Sequence, residues 1–352
     1  MLAVMKTKPV AKELEVREVA EPTLTPGHAL AKVDAVGICG TDVHIYNWEL
    51  GYRTRLGDRL PVTMGHEFTG TLVDMDGESP DFKVGDRVVA IPAVGCGECY
   101  YCKNGNREIC LNRKPIGLEY PGAMANYVLL DKNQIFRLPS DFPITLGAAI
   151  EPMTVAYNAV FKAGSLLGKT VVIIGPGAIG YFAAVFAYLA GATDISISGL
   201  PNDEPRFEVF RRCLPSVHIF TDGEALKQHV MEISNGIGVD VVLEISGSGG
   251  GLSSAIDLTK KRAALVMVGI ASKPLTVDAI SIVRKELRLF GTHVLPPKLW
   301  REMIALIYSL DQQSKDLLEA AITHRFPLSK AEEAFKTVES CTGLKVLLDP
   351  NK

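Results

Sequence analysis

Twenty-four residues from Thr170 to Thr193, TVVIIGPGAIGYFAAVFAYLAGAT, carry no formal charge. By length alone such a run reaches across a bilayer. Pro176 and three glycines interrupt it near its start, and a better account is a β-branched strand, a tight turn and a buried helix. The turn reads Gly175-Pro176-Gly177-Ala178-Ile179-Gly180. Gly175 permits the sharp bend, Gly177 lets a pyrophosphate approach the backbone, and Gly180 lets helix and strand pack closely. Unpaired N–H groups at the start of the helix then face the phosphates. The motif is weak alone; here strand before and helix after supply the context it requires. A chain built around this unit is expected to bind a dinucleotide and not to enter a membrane.

The surroundings agree. TVVIIG, DISIS, HIFT, VDVVLEISG, RAALVMVGI and ELRLFGTH read as six strands, with stretches of helical length such as ALKQHVMEISNG between most of them. Alternating strands and helices predict a doubly wound parallel sheet covered on both faces. Before Leu146 the texture differs: short β-branched segments separated by Gly and Pro predict a small, barrel-like β domain. Beyond His293, WREMIALIYSL reads as an amphipathic helix and GLKVLLDP as a terminal strand, with no periodicity to say where that tail packs.

A length of 352 residues suits two domains. A formal charge of −3 offers no basic surplus for nucleic acid or anionic lipid, so neither partner is expected. No secretion-type leader is legible at the start. The seven cysteines are odd in number, which argues against a disulfide framework, and a cytoplasmic location is expected.

Four of those seven lie within CGECYYCKNGNREIC, as Cys96, Cys99, Cys102 and Cys110. Thiolates at this spacing converge on one tetrahedral ion from a single looping segment. Ferredoxin-type clusters use a similar run with Pro after the last cysteine; here Leu111 follows and the last gap is longer. Zinc is therefore expected, and four sulfurs leave no open position for a substrate, so the ion is structural. The chemistry must lie elsewhere. Cys39 in GICGTDVH and the pair His66-Glu67 in GHE are candidates for a second, catalytic zinc. Taken singly, Cys39 reads as core, and Thr41 and His44 as caps of a turn or helix start.

GICGTDVH, GHEFTGTLV, FKVGDRVV, the four-cysteine lobe and GPGAIG, in this order and at these intervals, resemble the zinc-dependent medium-chain alcohol dehydrogenases, and within them the polyol (sorbitol-like) and L-threonine dehydrogenase branches. The resemblance covers nearly the whole chain. It implies a GroES-like catalytic domain over residues 1–148 and 294–352, with a structural zinc lobe at 92–114, and a Rossmann domain over 149–293. It implies Cys39 and His66 as ligands of catalytic zinc, Glu67 as the adjacent glutamate, and Glu151 at a position that polyol members fill with glutamate. Thr41 and His44 match a proton relay: an alcohol acidified by the ion gives its proton to Thr41, and the cofactor ribose and His44 pass it to solvent while hydride leaves to the nicotinamide. A homodimer or homotetramer is implied as well.

The chain departs from the family at the end of the second sheet strand. NAD-specific members carry Asp or Glu there, whereas this chain has Ser198 and Gly199, with Arg206 further on. NAD and NADP both remain open, and Gly199→Asp is expected to shift preference toward NAD. The substrate is expected to be a secondary alcohol in a polyol or sugar-like molecule, with L-threonine as the alternative and Glu119 and His293 as candidate pocket groups. A zinc- and nucleotide-binding module without turnover is the alternative of a different class.

Overall fold

The computed structural model describes residues 1–352, the side chains of Leu50, Asp58 and Val94 excepted. The chain forms two compact units: Met1–Pro152 with Leu295–Lys315 and Ile322–Lys352, and Met153–Val294 with Asp316–Ala321. Among the described residues no helix is long and apolar enough to cross a membrane.

The first unit is built on a seven-stranded sheet. Its centre is the long strand His28–Gly37, where alternate residues Ala29, Ala31 and Val33 are buried. Such alternation is what a strand covered on one face requires. It pairs antiparallel with Glu67–Met75 and with Tyr127–Asp131. The terminal strand Lys345–Asp349 also joins it, with Leu347 opposite Gly37 and Leu348 opposite Val36, and pairs parallel with Ile322–Pro327. That pairing places the terminal strand: its Val346 and Leu348 join the same core as Val36 and Phe68. Two seven-residue helices, Gly40–Tyr46 and Leu50–Leu56, follow Cys39 in a region whose sequence lacks a long helical period.

The second unit holds six parallel strands. Their spatial order is Val217–Phe220, Asp194–Ser198, Thr170–Ile174, Val239–Glu244, Thr259–Met267, Arg288–Gly291. The order reverses beside Thr170–Ile174, and in such sheets the crevice past the carboxyl ends at that point is where ligands bind. The strand's VVII is buried on both faces, and the following helix Ala178–Leu189 buries Tyr181 through Ala187. This explains most of the absence of charge: from Val171 to Ala187 strand and helix lie largely inside, where an unpaired charge would be costly, while Tyr188 and Leu189 are exposed.

One charge in this sheet is well compensated. Asp240 accepts from the backbone N–H and hydroxyl of Thr170 and lies 2.6 Å from Lys260 Nζ. Burial by itself would raise its pKa, but Lys260 and the Thr170 donors outweigh burial and hold the carboxyl at about 2. The folded value lies below the ~3.9 of an unfolded chain, so the stabilisation is complete above about pH 5 and is lost as pH falls through 4 toward 2. Asp240→Asn should accordingly cost about 2 kcal/mol near neutrality. The gap in unfolding midpoint between the variant and the parent, followed against pH, should close in acid; a gap that does not vary with pH would refute this.

Candidate metal centres and dinucleotide turn

The four-cysteine loop closes on itself. Cys96, Cys99, Cys102 and Cys110 place their sulfurs within 4.8 Å of one another, with Cys99 and Cys110 at 3.7 Å. A tetrahedral zinc with bonds of ~2.3 Å would set its sulfurs about 3.8 Å apart. Backbone N–H groups point at the sulfurs: Cys96 and Asn112 donate to Cys110, and Cys99 donates to Cys96. Donation from the N–H groups of Cys102 and Leu111 brings the Cys99 thiol down to about 6, favouring the thiolate that binds metal. These residues fit a closed zinc site. Cys102→Ser should release one zinc ion per chain and open the 96–110 loop to proteases, leaving the ion at Cys39 and His66 in place. Unchanged zinc content would remove the loop's assigned role.

The second centre assembles where two strand ends and a helix start meet. Cys39 immediately precedes the helix Gly40–Tyr46, and Glu67 opens the strand Glu67–Met75. Cys39, His66 and Glu67 bring one potential ligand atom each to within 4.8 Å of the others. His66 and Glu67 are buried. Burial, then the negative charge of Glu67, pushes the Cys39 thiol up. On His66 burial acts downward, but Cys39 and Asp42 outweigh it and raise the imidazole. A bound dication reverses that logic, holding the sulfur as thiolate and the imidazole neutral. The donor set of one sulfur, one imidazole and one carboxylate with incomplete coordination suits a catalytic zinc.

Glu151 stands outside that group of three but within its field. Burial, the largest influence, pushes its carboxyl up to about 7, with repulsion from Glu67 adding to it, while His66 pulls it down. Asp42 is fully buried; its Oδ2 accepts from the backbone N–H of Cys39 at 2.9 Å and its Oδ1 lies 3.9 Å from His66 Nδ1. Lys345 is also buried and ion-pairs with Glu67 Oε2, while its ammonium donates to the Ile38 carbonyl at 2.9 Å. Neither Asp42 nor Lys345 emerges from sequence reading. An acid inside the motif and a lysine within an apolar strand were the available signals.

Thr41 and His44 meet through a third side chain. Thr41 lies beside Tyr52 and draws its phenol pKa down against the larger upward push of burial, and the Tyr52 ring stacks on His44 at 5.7 Å between centroids and 10° between planes. His44 Nδ1 lies 2.9 Å from Glu49 Oε1. Glu119 is engaged by Arg55 at 3.3 Å and Arg59 at 3.6 Å. His293 belongs to the second unit.

In the second unit the Gly175–Gly180 turn takes the form its glycines require. Gly175 has φ +113°, and a Cβ at Gly180 would lie 2.0 Å from the Gly175 carbonyl. Gly175 N–H donates to the Ser198 carbonyl at 2.8 Å, so Ser198 and the turn share the carboxyl end of the sheet, and the helix carrying Ala178 and Ile179 begins there. The expectation for Gly199 needs correction. A Cβ there would lie 2.5 and 2.7 Å from the Pro176 ring, so an aspartate cannot replace it without moving the turn. Asp203 comes close instead: its Oδ2 is 2.9 Å from that Cβ position and accepts from Leu200 N–H, and its Oδ1 binds Arg206 at 2.9 Å. Arg206 thus already carries a carboxylate.

A Rossmann sheet with a glycine turn, joined in one chain to a closed four-cysteine loop and a Cys-His-Glu centre, defines a zinc-dependent dehydrogenase. Residues 25–140 match the alcohol dehydrogenase GroES-like domain and residues 178–309 the zinc-binding dehydrogenase domain. The chain belongs to the zinc-dependent medium-chain alcohol dehydrogenase family, and it is an oxidoreductase that moves hydride between an alcohol and NAD(P). It is 32% identical to a sorbitol dehydrogenase of Halalkalibacterium halodurans, with 99% of each chain covered. It is 33% identical to an L-threonine 3-dehydrogenase of Thermococcus kodakarensis, covering 100% of this chain and 99% of that one. An alcohol dehydrogenase of Thermotoga maritima superposes with a TM-score of 0.86 at 27% identity, covering 99% of this chain and 98% of that one.

Proposed function

We propose that the chain oxidises a secondary alcohol within a polyol or sugar-like molecule, using Cys39, His66 and either Glu67 or Glu151 to hold the catalytic zinc. The convergence of half-buried Cys39 with buried His66 and Glu67, with Glu151 within their field, carries this reading. Bound there, zinc supplies a Lewis acid that makes an alcohol hydroxyl acidic near neutral pH. The protein's part is to receive the proton and hold the geometry. Thr41 is the acceptor nearest in sequence to Cys39; Tyr52 lies beside it, and His44, with Glu49 at 2.9 Å, stacks on the Tyr52 ring. Asp42 anchors the Cys39 backbone, which fixes the ligand's position.

The cofactor preference follows from Asp203. With Arg206 engaged by Asp203, that arginine is not free to attract a 2′-phosphate, and losing this attraction favours NAD over NADP. Reduced thiols at both centres suit the cytoplasm, and the family likeness extends the reading to a homodimer or homotetramer.

The test is a panel of sorbitol, xylitol, a sugar phosphate and L-threonine, each assayed with both cofactors. The expected result is the highest kcat/KM on a polyol, with NAD preferred. L-threonine at the head of the panel would replace the substrate class; the full-length Thermococcus relative makes it the second reading. No turnover of any compound by the zinc-replete chain would favour a binding module.

A further inference from the structure

We propose a third transition-metal site, in the dinucleotide unit, formed by Asp194, His218 and His229. Asp194 opens the strand Asp194–Ser198, His218 is the second residue of the neighbouring strand Val217–Phe220, and His229 lies on the helix Gly223–Ile233 that packs against both. Two of the chain's seven histidines are therefore brought to one carboxylate by three separate elements.

The spacing is that of ligands around an ion. His218 Nε2 is 3.4 Å from Asp194 Oδ2, and His229 Nε2 is 3.7 Å from the same oxygen. One ligand atom from each residue lies within 4.8 Å of the others. Bonds of ~2.0–2.1 Å from a tetrahedral zinc would place its nitrogen and oxygen ligands about 3.4 Å apart. A hydrogen bond does not account for the longer contact, since 3.7 Å exceeds its reach. His229 Nε2 is shielded from solvent and has no hydrogen-bond partner among the described residues. A shielded nitrogen without a partner is a cost that a bound cation would remove.

The surroundings hold the three groups in place. The Ser196 hydroxyl donates to Asp194 Oδ1 at 3.3 Å, leaving Oδ2 to the histidines. Phe220 packs on His229 with ring centroids 5.1 Å apart, and the two imidazoles are 4.5 Å apart. His218 is 51% exposed, which gives an ion its entry. Two neutral imidazoles and one carboxylate, with a position left for water, select a borderline divalent ion such as zinc or nickel over calcium or magnesium.

This site is separate from the hydride chemistry. Asp194 starts its strand and Ser198, which meets the glycine turn, ends it; four residues of strand span about 13 Å. An ion here would tie two parallel strands to their covering helix, stabilising the unit by binding only its folded form.

The full-length enzyme, first loaded with zinc, should be dialysed against buffered micromolar zinc and its metal counted. The parent should retain one more ion per chain than either His218→Gln or Asp194→Asn, with dehydrogenase rates equal in all three. Added zinc should raise the unfolding midpoint of the parent and leave those of the variants unmoved. Equal zinc content in the parent and both variants would overturn the site, as would a zinc-dependent midpoint shift that survives both substitutions. His218 is the more exposed position, so its variant keeps the test open if Asp194→Asn folds poorly.

Discussion

Cys39→Ser should lower kcat by at least about a thousandfold while leaving the fold intact. An ion acting as Lewis acid contributes several kcal/mol to transition-state stabilisation, and ~4 kcal/mol corresponds to about three powers of ten in rate. Serine is close to cysteine in size, so the packing around this half-buried position is neither emptied nor overfilled. The contact that anchors the loop also survives, because Asp42 grips the backbone N–H of residue 39 and not its side chain. Zinc content should fall by one ion per chain, the Cys96–Cys110 ion should stay, and the unfolding midpoint should move by only a few degrees. Turnover within tenfold of the parent, with one ion gone, would show that Cys39 does not hold the reacting centre.

Local chemistry was the legible part of this molecule. The glycine turn, the four-cysteine loop and the six strands each announce themselves within a short window, because turn geometry, metal spacing and β-branched runs are properties of neighbouring residues. Long-range partners were hidden. Lys345 and Glu67 are 278 positions apart, and no periodicity links them. Their meeting requires the terminal strand to pair with His28–Gly37, a register visible only in the folded sheet. Tyr52 is hidden for a different reason: it lies on a short helix whose sequence lacks a strong period, and only the fold sets it beside Thr41 and against the His44 ring. An aspartate at Gly199 would meet the Pro176 ring of the preceding turn, a neighbour that the local sequence does not reveal. Space leaves no room for an acid at 199, and the Asp203 carboxylate lies 2.9 Å from where that Cβ would stand.

Lys345→Met should destabilise the first unit by about 3–5 kcal/mol, the usual cost of stripping one partner from a buried ion pair. Both members are almost completely buried, with side-chain exposures of 2% each. Glu67 cannot turn to water for compensation, and the Ile38 carbonyl loses its donor as well. The pair is fitted closely: a Cβ at Gly37 would lie 2.6 Å from Glu67 Oε2 and 2.8 Å from Lys345 Cε, so the central strand carries glycine where the two side chains cross it. Methionine retains most of the lysine stem and its packing, which isolates the lost charge from a cavity. The companion variant is Lys345→Met with Glu67→Gln. Removing the stranded charge should recover about half of the loss, and the coupling energy from the full cycle should exceed ~1 kcal/mol. Denaturant midpoints compared only between samples whose counted zinc per chain is equal separate this from a change in metal occupancy. A single variant within about 0.5 kcal/mol of the parent would mean that Glu67 has another partner in the folded enzyme, and that its charge is not committed to Lys345.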